Sequence, residues 1–205
     1  MDRVRKQIGV PLLAGTDRLK YTGRGITAAV LDTGVGEHPD LSGRIIGFRD
    51  FVNGRQRAYD DSGHGTHVCG IIGGNGITSG GRYQGIAPEA TFIIGKVLDK
   101  EGEGSADNML KGLEWILGIR EKYHIRVLNI SVGINNIRNK EKELKLRELM
   151  ELLWECGVIV VCAAGNSGPA GGSISSIAKS RRLITVGCHD GDYYRDMPGC
   201  CEKYS

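Results

Sequence analysis

The chain is poor in proline and aromatics, with 5 Pro and 6% Phe, Trp and Tyr, and charge of neither sign dominates it. Lys and Arg number 27 against 24 Asp and Glu, and this net charge of +3 gives no reason to expect a nucleic-acid partner. The largest charged cluster, RNKEKELKLRE at 138–148, mixes both signs, as a solvated helix face does. No apolar run is long enough to cross a bilayer as a helix, so no membrane partner is expected. The N-terminus MDRVRKQIGVPLLAG has basic residues, but its apolar stretch is short and broken by Gln7, unlike a secretory signal. Repeats, linkers and low-complexity segments are missing as well, so the 205 residues, 40% of them hydrophobic, are expected to form one domain over 1–205.

Two ligand-binding patterns are also absent. The glycine-rich stretch GGNGITSGGRYQG at 73–85 lacks the order of a phosphate-binding loop and is expected to be a surface loop with close turns. His64 and His67 stand three apart, but Gly65 occupies the position where a zinc peptidase helix needs glutamate. Six cysteines, at 69, 156, 162, 188, 200 and 201, are not a disulfide framework in a chain of this length. Cys69, Cys156 and Cys162 lie in apolar segments and are expected in the core as free thiols, which suits a reducing compartment. Cys188-His189 and Cys200-Cys201 lack the CxxC spacing of a zinc site, so no metal ligands are assigned. A cytoplasmic location is favoured on these grounds; secretion is the alternative if a leader lies outside these residues.

What the chain does have is alternation. Apolar runs at 26–31, 91–98, 125–131, 158–164 and 183–187 read as strands. Helical patterns fall between them at 64–74, 106–123 and 139–155, while a loop-rich stretch follows the first strand as far as residue 62. Leu110, Leu113, Ile116 and Leu117 mark the buried side of one helix, and Leu146, Leu149, Met150 and Leu153 that of the next. Near-continuous apolar strands separated by helices predict an α/β fold: a doubly wound, mostly parallel sheet with helices on both faces. Such sheets bind ligands beyond the carboxyl ends of their strands. Asp32 ends one strand, Ser131-Val132-Gly133 closes another and Gly165-Asn166 a third, so three useful groups converge on one sheet edge.

Each of these residues has a functional and a structural reading. Asp32, at the end of a buried strand, needs a stabilising partner, or is an Asx residue turning the chain ahead of Gly34. His64, between two glycines, is either a catalytic base or a helix-start histidine. Asn166 could donate to a developing oxyanion, or sit in a plain Asn-Ser-Gly-Pro turn. Ser131, Val132 and Gly133 could offer backbone groups to an extended peptide, or end a strand at a glycine.

In their order, the blocks LDTGV, GHGTHVCG, APEATFIIGKVLD, LNISVG and VVCAAGNSGP resemble the subtilisin-like serine proteases (subtilases, peptidase family S8), from about residue 7 onward. The variant around GNGI and GRYQGIAPEA is most similar to bacterial subtilases of the intracellular or pro-domain-poor kind. The resemblance implies a serine endopeptidase in which Asp32 orients His64, His64 acts as general base and then acid, and Asn166 supplies the oxyanion donor. It further implies an extended peptide or protein substrate lying between Ser131-Val132-Gly133 and the segment Gly102-Glu103-Gly104. Asp40 matches a position that ligates a structural calcium in many relatives, but the rest of that loop is not recognisable, so no cofactor is assigned. Cys69 stands where relatives often carry alanine; it either sensitises the site to mercurials and oxidation or is a small core residue. Asp61 and Glu103 could favour basic residues near the cleavage site, or are solvated loop carboxylates.

The family's nucleophilic serine, in a Gly-Thr-Ser block opening a helix downstream of the asparagine, has no counterpart here. Ser167, Ser173, Ser175, Ser176 and Ser180 stand in the wrong context. A C-terminal truncation is the expectation, and with it an inactive, poorly stable chain with apolar sheet surface uncovered. Two rivals stand beside it: a non-catalytic module that binds extended peptides, and the N-terminal piece of a two-piece enzyme.

Overall fold

The computed structural model describes residues 5, 8–10, 21–132, 139–167 and 172–187. Among these residues six strands form one parallel sheet: β1 (Thr27–Asp32), β2 (Ile45–Asp50), β3 (Thr91–Lys96), β4 (Ile125–Ile130), β5 (Ile159–Ala163) and β6 (Ile184–Val186). They lie in the order β2-β3-β1-β4-β5-β6. Among the described residues three α-helices cover it: α1 (His64–Gly73), α2 (Ala106–Ile119) and α3 (Lys140–Glu155).

Strand alternation assigns the two faces. Ala28 and Val30 of β1 point with Phe92 and Ile94 of β3 toward Cys69 on α1. Ala29 and Leu31 point the other way, into a larger core with Met109, Leu113 and Ile116 of α2 and Leu146, Met150 and Leu153 of α3. The doubly wound fold is therefore as the sequence predicts. Caps start both long helices: Ser105 Oγ accepts the Asn108 N–H, and Asn139 Oδ1 accepts those of Glu141 and Lys142.

The structure departs from the sequence-based expectation in a few places. The stretch before residue 62 contains β2, an edge strand only partly buried, whose Gly47 and Arg49 break any continuous apolar run. The helical pattern at 106–123 ends at Ile119, and residues 120–123 form a turn. Leu117 and Leu149 are only half-buried. Cys156, expected in the core, is exposed, because it caps the C-terminus of α3 and faces solvent; Cys69 and Cys162 are buried.

The sheet is unevenly covered. On the face that α1 shields over β1 and β3, the register continues from Val127 to Ile159, and from Val161 and Ala163 to Ile184 and Val186. Ile159, Ile184 and Val186 are 45%, 45% and 52% exposed. Among the described residues this apolar strip lies open to solvent.

Candidate active site

β1 runs on from its C-terminal end toward β2 on one side of the sheet, whereas β4 runs on toward β5 on the other. The crevice between β1 and β4 is thus the topological switch point, where open α/β sheets receive their ligands. Asp32 ends β1 and Ser131 follows β4 at this crevice.

Asp32 is fully buried, and its Oδ1 lies 2.7 Å from His64 Nδ1 while also accepting the Thr33 N–H at 2.7 Å. Oδ2 is buried with no hydrogen-bond partner among the described residues. Burial pushes the Asp32 carboxyl above its ordinary range, although the hydrogen bonds from His64 and Thr33 pull the other way. The His64 side chain is 48% exposed, so one ring nitrogen is held by a buried carboxylate while the ring opens to solvent. That combination lets an imidazole exchange protons with a bound molecule without losing its orientation.

Local sequence explains why the two side chains meet. His64 is the first residue of α1, whose N-cap is Gly63 in the left-handed region at φ 90°, with no side chain to cap the helix. Asp60 does that work from three residues back: Oδ2 accepts the Thr66 N–H and Oδ1 those of Ser62 and Gly63. Thr33 closes the circuit, its hydroxyl donating to Asp60 Oδ1 and accepting the Gly65 N–H. Burial pushes the Asp60 carboxyl up, but hydrogen bonds from Thr66, Gly63 and Thr33 outweigh it and hold the group below its ordinary value. Gly65 is required for the approach itself, since a Cβ there would collide with the Gly34 carbonyl oxygen and lie 3.2 Å from Asp32 Cβ.

The other expected residues are spread along the same edge. Ser131 is half-buried, its Oγ accepting from Asn129 Nδ2 at 2.7 Å, and Val132 is buried. Gly133 lies outside the described residues, as do Cys188, His189, Cys200 and Cys201. Asn166 is exposed, just beyond β5, and follows Gly165 at φ 113°. Because β1, β4 and β5 are neighbours in a parallel sheet, their C-terminal ends bring Asp32, Ser131 and Asn166 to one edge. Gly102 and Gly104 flank Glu103 in an exposed turn rather than a strand; Asp99 Oδ1 holds it by accepting the N–H groups of Glu101 and Glu103.

Contacts place three further residues that the sequence singled out. Asp40 is engaged within the protein: Oδ1 accepts the Thr78 N–H and hydroxyl, each at 2.9 Å, and its carbonyl accepts from Asn75 N and Arg44 Nη2. Among the described residues no group of three or more His, Cys, Asp or Glu could hold a metal. Cys69 of α1 is fully buried in the core, and burial together with Asp32 and Asp60 pushes its thiol up. Asp61 is committed to Lys96, 2.6 Å away, a fully buried lysine that the sequence pattern does not single out. A lysine inside the apolar run TFIIGKVL was the signal for it. No helix among the described residues is long and apolar enough to cross a membrane.

With the geometry in hand, comparison with known proteins gives one consistent picture. Residues 23–197 match the Subtilase family of peptidases. The chain is 44% identical over 173 residues to the serine protease AprX of Bacillus subtilis, covering 82% of this chain and 39% of that protein. It is 38% identical over 169 residues to subtilisin Savinase of Lederbergia lenta, covering 82% and 57%. A solved S41 psychrophilic protease superposes with a TM-score of 0.70 at 33% identity, over 84% of this chain and 57% of that one. A cold-adapted subtilisin-like serine proteinase gives 0.66 at 29%, over 86% and 60%. The chain spans roughly half the length of the curated relatives it matches.

Proposed function

The chain belongs to the Subtilase family, and from that premise we propose that it carries the aspartate and histidine of a serine endopeptidase. The observation that supports this most is the buried Asp32 carboxylate on Nδ1 of a half-exposed His64 at the switch point of the sheet. Asp32 holds the tautomer in which Nδ1 bears the proton and Nε2 is free to accept one. His64 takes the proton of a serine hydroxyl as it attacks the peptide carbonyl, and then returns it to the leaving amine. The charge that builds on the carbonyl oxygen is met by the Asn166 amide, a contact worth about 3 kcal/mol in comparable sites. An extended peptide pairs with the backbone at Ser131, Val132 and Gly133 on one side and at Gly102 and Gly104 on the other. These 205 residues contain no Gly-Thr-Ser block to supply the nucleophile, so they alone hydrolyse no peptide bond.

Two measurements test the reading. The 205-residue chain is treated with a fluorophosphonate probe and a peptide amide; neither labelling of a serine nor turnover is expected, and labelling would overturn it. The chain is then joined to the segment that follows the matched region in the Bacillus subtilis relative. Turnover is expected there, falling at least about a thousandfold in Asp32→Ala and His64→Ala; unchanged turnover in those variants sinks the assignment.

A further inference from the structure

Lys96 is fully buried at the C-terminal end of β3, flanked in register by Asp32 on β1 and Asp50 on β2. Taking an ammonium out of water is costly unless its three N–H groups find partners. Here Nζ donates to the Thr33 carbonyl at 2.7 Å and to Asp61 Oδ1 at 2.6 Å, and lies 5.0 Å from the centre of the Tyr59 ring. Asp50 is engaged elsewhere, accepting from the backbone at Val52, Asn53 and Arg55 and from the Tyr59 hydroxyl.

The two partners of Lys96 belong to the two segments that must close on each other. Thr33 is the residue whose N–H supports Asp32 Oδ1 and whose hydroxyl accepts the Gly65 N–H. Asp61 stands in the loop that delivers His64 into the first turn of α1. We infer that Lys96 is a positioning residue for the Asp32–His64 pair, clamping the end of β1 to the loop before α1 from beneath the site. The inference rests on reading that pair as the general-base couple. It also gives Asp61 an occupation other than choosing basic residues in a substrate, because its carboxylate is held by the protein's own cation.

The test is an NMR experiment on the 205-residue chain labelled with ¹⁵N-histidine, observing the His64 Nδ1–H. In the wild type this proton is expected as a downfield resonance protected from solvent by Asp32. K96M is expected to lose it to exchange while the backbone amide spectrum stays folded, and K96R, which keeps a cation at the site, to retain it. D61A, which changes a partly exposed loop residue, is expected to lose it as well and decides the matter if K96M does not fold. A resonance unchanged in D61A, or in a folded K96M, overturns the inference and leaves the catalytic reading intact. No protected resonance in the wild type overturns both.

Discussion

Asp60 takes no part in the proposed chemistry, yet its carboxylate collects donors from Thr33, Ser62, Gly63 and Thr66 and ties the end of β1 to the start of α1. Its hydrogen bonds hold it ionised below the ordinary carboxylate range despite burial, which opposes them. A carboxyl depressed in the folded state contributes stability above its unfolded pKa of about 4, and that contribution is lost as pH falls through the folded value. Asp60→Asn should therefore lower stability near neutral pH by roughly 1–2 kcal/mol, the usual worth of a helix N-terminal cap. The gap to wild type should narrow as pH falls below about 4. Thermal melts of both proteins across that range check it; a gap independent of pH would mean the carboxylate's charge is irrelevant. Asp32 and His64 were legible at this scale because residue type, strand end and helix start coincide. Asp60 and Lys96 were not: nothing local says that a loop carboxylate caps a helix three residues on, and the lysine inside the apolar run TFIIGKVL signals burial without naming the partners that permit it.

At the scale of elements, α1 sits on β1 only because glycine separates them. In a helix interior Gly→Ala ordinarily gains up to about 1 kcal/mol. At Gly65 the new methyl would strike the Gly34 carbonyl and press on Asp32, and such backbone overpacking costs typically about 1–3 kcal/mol. Sterics exceed propensity there, so Gly65→Ala should lower the melting temperature and displace His64. Gly70, on the same helix, has nothing within 4 Å of an added Cβ, and Gly70→Ala should raise it. Opposite signs from one helix are the expected result, and equal shifts would show that packing against β1 does not discriminate. Buried strands and amphipathic helices were readable because their periodicity persists over several residues. β2 was hidden because an edge strand buried on part of one face leaves no such record, and Cys156 misled because an apolar neighbourhood in sequence ends, in space, at a solvent-facing cap.

For the whole molecule, the open strip over β4, β5 and β6 is the dominant liability. Val160 and Cys162 of β5 are buried in the core with α2 and α3, whereas Ile159, Val161 and Ala163 point to the opposite face, where Ile159 is 45% exposed and Val161 and Ala163 pair with Ile184 and Val186. Contiguous apolar surface rimmed by polar residues drives association, and exposing it on a sheet face is unfavourable by about 25 cal/mol for each Å² left in water. The 205-residue chain is therefore expected to associate as its concentration rises, as followed by sedimentation velocity. Ile184→Lys with Val186→Lys should suppress that association with little change in melting temperature, because both side chains already reach solvent. Val160→Lys should instead unfold the chain, since it forces an unpaired ammonium into the covered core. If the double lysine variant associates as strongly as wild type, the contact lies on another surface and the uncovered face is not what limits this chain. If it becomes monomeric and stays folded, the sheet closes its covered half without help, and the open strip can be studied as a face in its own right.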